Sequence, residues 1–167
     1  LFFLASAGLK SGTEMDVLEI AAIASASGLG EVDVIAKLLT NTIAAYGQEN
    51  VDTAQLAGVL AIAVKKGNLE ADEMSGTLGR LLPLTSVLGI SFAELTAIMS
   101  SLSLINADAN ENASVFVGIM NAIIKASPQG EKVLNAVGLS YESIRKNIRD
   151  NGLIATLNDV ASALEGD

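Results

Sequence analysis

The chain contains no cysteine, no histidine and no tryptophan, and only 4% of its residues are aromatic. Without cysteine there are no disulfides and no thiolate metal sites, and the redox compartment stays open. Without histidine there are no imidazole ligands, and the commonest general base is missing. Basic residues are scarce too: 10 Lys and Arg stand against 19 Asp and Glu in 167 residues, a net charge of −9. A field of that sign repels phosphate backbones, so no direct nucleic-acid binding is expected. The one basic cluster, Arg145, Lys146 and Arg149, lies beside Glu142 and Asp150 and reads as the solvated face of a helix. Long hydrophobic runs are also missing. The longest uncharged stretches, Leu81–Ala93, Leu95–Ala107 and Asn112–Ile124, fall well short of the ~20 residues that span a bilayer. No transmembrane helix is expected, although the mean hydropathy is +0.47.

What is present is aliphatic. Half the residues are apolar, so the core must be built from Ala, Leu, Ile and Val. The length suits one domain burying roughly two-thirds of its unfolded surface, and a single helical domain over residues 1–167 is expected. The opening string LFFLASAG begins inside an apolar run, with neither the basic segment nor the cleavage site of a signal peptide, and reads as a piece of a longer polypeptide.

Apolar residues recur at helical spacing, and no sustained alternation marks a strand. Four core-facing stripes stand out. Val34, Ile35, Leu38, Leu39, Ile43 and Tyr46 form the first; Phe92, Leu95, Ile98, Met99, Leu102 and Ile105 the second. Val115, Phe116, Ile119, Met120, Ile123 and Ile124 form the third; Leu153, Ile154, Leu157, Val160, Ala161 and Leu164 the fourth.

Stop and start signals between the stripes sit side by side. A helix commonly ends on a left-handed glycine and starts on a Ser, Thr, Asp or Asn that caps free N–H groups. Gly89-Ile90-Ser91 followed by Glu94 supplies both, with Ser91 and Glu94 spaced as a capping box. Gly138-Leu139-Ser140 repeats the junction, Gly67-Asn68-Leu69 is related, and Ser11 with Glu14 forms a further box. Ser127-Pro128 places proline at a first helical position. The end glycines Gly8, Gly28, Gly47, Gly67 and Gly89 recur about every 20 residues, which predicts helices of roughly 14 to 17 residues. Pro83 predicts a bend between Leu69 and Leu88. Interior glycines at Gly58, Gly76, Gly79 and Gly118 predict close helix–helix approach, with a hinge as the alternative. The fold expected is all-α: a compact array of short antiparallel helices, stacked as helical hairpins in a solenoid-like or irregular bundle.

Three local patterns suggest chemistry and then fail to complete it. Ser143 and Lys146 have the S-x-x-K spacing of a nucleophilic serine, but no K-T-G or S-D-N partner exists. Asp108, Asn110 and Asn112 open like a calcium loop, but Ala113 and Ile119 stand where Gly and a bidentate Glu are needed. Glu70, Asp72 and Glu73 suit the positive end of a helix without any catalytic pairing. No catalytic, cofactor or metal residue is assigned, and no enzyme is expected.

The junction strings carry a resemblance. ASAGL (Ala5–Leu9), ASGLGEVDVIAKLLTNTIAAYG (Ala26–Gly47), the stretch from Val51 to Ser103 and GLIATLNDVASALEG (Gly152–Gly166) together resemble the core region of phage tail tape measure proteins. The ordered set AAYG, AVKKG, LGRLLPLTSVLGISFAEL and SSLS carries most of it; Asn106–Gln129 is least typical. The resemblance implies a structural role in tail assembly, tail length and genome delivery. Implied partners are tail tube and other tail proteins, tail assembly chaperones, the host envelope on ejection, and further copies of the chain. The implied location is the virion tail lumen, with assembly in the host cytoplasm. No residue-level function and no cofactor comes with it, so the residues singled out are helix junctions: Gly28, Gly47, Gly67, Pro83, Gly89, Ser91, Glu94, Gly138 and Ser140. An apolar groove between hairpins is the expected contact site. The alternative readings are a membrane-active helical bundle and a generic α-helical interaction module.

Overall fold

The 3.6-residue spacing of apolar side chains resolves into successive helices in a computed structural model that describes Leu9, residues 11–67 and residues 70–165. Gly8, Asn68, Leu69, Gly166 and the side chain of Ser11, with its box to Glu14, lie outside the described residues. In chain order the helices are α1 (Ser11–Ala26), α2 (Val32–Tyr46), α3 (Thr53–Lys66), α4 (Ala71–Leu88) and α5 (Phe92–Ile105). They continue with α6 (Ala109–Ile124), α7 (Pro128–Ala136), α8 (Tyr141–Asn151) and α9 (Leu153–Glu165). A 3-10 turn at Gln48–Asn50 joins α2 to α3, and no strand occurs among the described residues.

Helices pack both on their immediate neighbours and on the next but one. α1 lies on α2 and α3, α2 on α4, α3 on α5, α4 on α6, and α6 on α8. The odd helices α1, α3 and α5 thus form one layer and α2, α4, α6 and α8 the other, the zigzag of a solenoid. α4 is the centre: Met74, Leu78, Leu81, Leu82 and Leu88 are all buried, and the helix touches α2, α5, α6 and α8. It also runs unbroken through Pro83, against the bend expected there. Proline removes the N–H that would bond the Gly79 carbonyl and crowds that turn. Pro83 is exposed, so water can reach the gap.

Three of the sequence stripes are displaced at their edges. Ile105 is 85% exposed, while Ser100 and Ser103 are buried. The reason lies across the interface, where the end of α3 comes so close that a Cβ on Gly67 would lie 2.8 Å from Ser100 Oγ and 2.9 Å from Ser103 Oγ. Only small side chains fit that contact. In α6 the buried row is Ala109, Ala113, Phe116, Met120 and Ile123, which leaves Val115 and Ile119 on the exposed flank. Ile154 and Leu164 of α9 are exposed as well.

Buried hydroxyls complete the core. Thr40, Thr42, Thr77, Thr85, Thr96 and Thr156 each donate to a carbonyl one turn back, which satisfies them inside a helix. Other donors tie helix ends to the next helix of the same layer. Ser86 Oγ of α4 donates to the Ala45 carbonyl of α2 at 2.7 Å, and Ser100 Oγ of α5 to the Ala63 carbonyl of α3 at 3.0 Å. Arg145 Nη1 of α8 donates to the Ile123 carbonyl of α6 at 3.0 Å. Last-turn carbonyls commonly lack intrahelical partners; the stacking supplies one for Ala45 and Ile123 and adds a second acceptor bond at Ala63, which already accepts from Gly67 N–H.

Candidate interaction surface

The junction residues set the direction of each helix. At Gly28, Gly89 and Gly138 the glycine is left-handed, with φ of +82°, +78° and +75°. In each case the following apolar residue donates its N–H five residues back: Leu29 to Ala24, Ile90 to Thr85 and Leu139 to Leu134. This pairing of a left-handed glycine with an apolar follower is the Schellman stop. Gly47 also has positive φ, +88°, but leads into the 3-10 turn. Gly67 is different, with φ −88°; its lack of a side chain serves the contact with Ser100 and Ser103 instead.

Ser91 and Ser140 cap α5 and α8 by accepting from the N–H groups of Glu94 and Ser143. Glu94 does not return to Ser91 as a capping box requires. Its Oε1 accepts from Leu153 N–H at 2.7 Å and Ile154 N–H at 3.2 Å, and so caps α9, sixty residues away. Gly152, at φ +89°, makes room, since a Cβ there would lie 2.9 Å from Oε1. Beside this latch, Tyr46 Oη donates to the Ile90 carbonyl at 2.8 Å and lies 2.9 Å from Thr85 Oγ1. Burial raises the Tyr46 pKa; the Thr85 hydrogen bond opposes the rise and the Glu94 charge adds to it.

The residues with suggestive chemistry have local work. Ser143 Oγ accepts from Ser140 N–H and donates to the Ser140 carbonyl, while Lys146 pairs with Asp150 at 2.7 Å and holds that carboxyl below its usual range. Asp108 caps α6 through the N–H groups of Asn110 and Glu111. Asn110 accepts from Arg80, and Asn112 donates to the Asn106 carbonyl. Glu73 accepts from Glu70 N–H at 3.5 Å at the start of α4. Among the described residues no cluster of acids could hold a metal ion. Of the basic cluster, Lys146 and Arg149 are exposed on α8, as a solvated face requires, whereas Arg145 is half-buried and reaches the end of α6; Arg149 lies so close over Gly89 that a Cβ there would meet its Cγ at 2.7 Å.

The open surface lies in the odd layer. A groove of about 600 Å³ runs between α1 and α3, lined by Ile20, Ile23, Ala54, Gly58, Ala61 and Val64 among others. Ile23 is 60% exposed and Ile62, on the next face of α3, 61%. A second shallow hollow, with Val59, Ile62, Ala97 and Ser101, continues across α3 to α5. Close helix approach does not explain the interior glycines: a Cβ on Gly58, Gly76, Gly79 or Gly118 would meet nothing within 4 Å. At Gly58 the missing side chain instead opens the groove.

A family model described as phage-related minor tail protein matches residues 3–167. The chain is also similar to a tape measure protein of Pneumococcus phage Dp-1, with 24% identity over 149 residues. That match covers 87% of this chain and 13% of the relative. No solved structure matches.

Proposed function

Because the chain belongs to the phage-related minor tail protein family, we propose that it is a non-catalytic structural domain of a tail tape measure protein, acting in tail assembly and tail-length determination. A phage tail structural protein is virion-associated and meets other tail components. The finer reading places this domain in the tail lumen after assembly in the host cytoplasm. There it contacts tail tube subunits and assembly chaperones, and on ejection it takes part in genome delivery at the host envelope. Whole-chain agreement with the family, together with the tape measure name of the Dp-1 relative, supports this reading. No helix among the described residues is long and apolar enough to cross a membrane.

The observation that decides the domain's part in length is the folding back of the chain. As one continuous helix, 167 residues would reach ~250 Å at ~1.5 Å per residue. The longest helix among the described residues, α4, has 18 residues, or ~27 Å, and its neighbours lie alongside it. The domain therefore acts as an anchor for assembly, and the measured length resides in other parts of the polypeptide.

Duplicating the segment in frame within the phage gene and measuring tails by electron microscopy tests this. The expected result is tails of unchanged length, or failed assembly. Tails longer by ~250 Å, the extended-helix increment, would make the segment part of the ruler and overturn the anchor reading.

A further inference from the structure

The groove between α1 and α3 has a charge pattern along its length that its apolar lining alone does not suggest. At one end Thr13, Asp16 and Glu19 of α1 lie beside Asp52 and Thr53 at the start of α3. This hollow shares Ile20 and Ala54 with the groove and is continuous with it. At the other end Ser27 and Leu29 lie beside Lys65, while Lys66 lines the neighbouring hollow toward α5. The two helices therefore run side by side in the same direction. The surface between them reads acidic, then apolar, then basic.

Such a strip is complementary to itself after a half-turn. When two copies face each other about a two-fold axis through the middle of α3, near Gly58, the acidic end of each meets the basic end of the other. The apolar centres coincide, and any residue pair is made twice, as an isologous interface requires. Gly58, Ala54 and Ala61 keep the centre low, which lets the two α3 helices approach, and Ile23 supplies a flanking ridge. Asp16, Glu19, Lys65 and Lys66 are all exposed.

We propose that this groove is a homotypic docking surface, pairing two copies of the chain antiparallel through α1 and α3. Two helices ~10 Å apart, each ~21 Å long, present about 400 Å² per copy, below the range of stable interfaces. The dimer is accordingly weak and concentration-dependent, and steered by its charged ends.

The test is sedimentation velocity on the 167-residue chain from about 1 µM to 1 mM, the range of weak association. Wild type is expected to pass from monomer to dimer, and less readily in high salt. A Lys65→Glu/Lys66→Glu variant has two acidic ends, and an Asp16→Lys/Glu19→Lys variant has one more basic end, so each alone is expected to stay monomeric. Mixed together, they are expected to recover the dimer. Gly58→Gln, which fills the groove where a side chain meets nothing in its own chain, is expected to abolish dimers without lowering the melting temperature. Wild type that stays monomeric overturns the proposal and leaves the groove to a different partner. So do dimers that persist in Gly58→Gln, or a mixture that stays monomeric while both variants melt like wild type.

Discussion

Replacing Glu94 by alanine removes the group that closes the start of α9. Its Oε1 accepts from Leu153 N–H at 2.7 Å and Ile154 N–H at 3.2 Å, two of the donors that a helix start leaves unpaired. The carboxylate also meets the positive end of the helix dipole. A hydrogen bond to a charged group contributes about 1.5–3 kcal/mol net, but Glu94 is only half-buried, and water can take over much of the capping. The expected loss for Glu94→Ala is therefore about 2 kcal/mol, the upper part of the range for a lost cap. In a chain of this size that lowers Tm by roughly 4–8 °C. Glu94→Gln keeps an oxygen acceptor and loses only the charge, so about 1 kcal/mol is expected. Urea denaturation followed by circular dichroism gives the stabilities, and hydrogen exchange reads the Leu153 and Ile154 amides directly. Unchanged exchange at those amides in Glu94→Ala would refute the reasoning. Gly152 supplies a cross-check. Gly152→Ala carries the same left-handed strain in both backgrounds, but its clash with Oε1 at 2.9 Å vanishes with Glu94, so the two substitutions are expected to be less than additive.

Tyr46→Phe is expected to cost about 1–2 kcal/mol at neutral pH, since it removes the donor to the Ile90 carbonyl. The raised pKa of Tyr46 means that the folded state holds this proton more tightly than the unfolded state. Its contribution is full below the unfolded value near ~10 and is lost as pH rises through the higher folded value. An alkaline decline equally steep in wild type and Tyr46→Phe would contradict this. Gly76→Ala and Gly118→Ala, at exposed helical sites where a Cβ meets nothing, are each expected to raise stability by about 0.5–1 kcal/mol; a lower urea midpoint would show that these faces are not open. Gly67→Ala is expected to destabilise by about 1–3 kcal/mol through overpacking against Ser100 and Ser103. A neutral result in the same titration would remove the steric reason for that glycine. Pro83→Ala is expected to stabilise by about 1–2 kcal/mol by restoring the bond to the Gly79 carbonyl, and a loss of stability would point to a required bend.

Local signals reported the helices well because helix ends depend on short-range chemistry. The Gly-apolar-Ser strings at Gly89 and Gly138 specify both a left-handed stop and the cap that follows, all within a few residues. Glu94 shows where such reading ends. Its spacing from Ser91 fits a box closed within one turn, yet the carboxylate serves α9, and nothing near Glu94 in the sequence announces a partner sixty residues on. Ile105 and Ser103 fail in the other direction. Hydropathy puts the isoleucine inside, but the distance between α3 and α5 admits only serine-sized side chains, a constraint written in Gly67 rather than in α5. The groove was foreseeable as a kind of feature between hairpins. Its place between α1 and α3 depends on the stacking order, which no single helix encodes.

The net charge of −9 is a consequence of the helix count rather than a binding feature. Twelve of the 19 acids stand at N-cap or first-turn positions: Glu14, Glu31, Asp33, Asp52, Glu70, Asp72, Glu73, Glu94, Asp108, Glu111, Glu131 and Glu142. Only four of the 10 bases, Lys65, Lys66, Lys125 and Arg149, take the matching C-terminal positions. The seven remaining acids and six remaining bases nearly cancel. Short helices need many starts, and each start favours an acid. The stops are met otherwise, by left-handed glycines and by hydroxyls of the next helix in the layer, so no equal number of cations is called for. A structure of this kind drifts acidic whatever it binds. Charge becomes informative only where it departs from that rule, and Asp16 and Glu19 are such a departure, set beyond the first turn of α1 at the end of a groove whose other end carries Lys65.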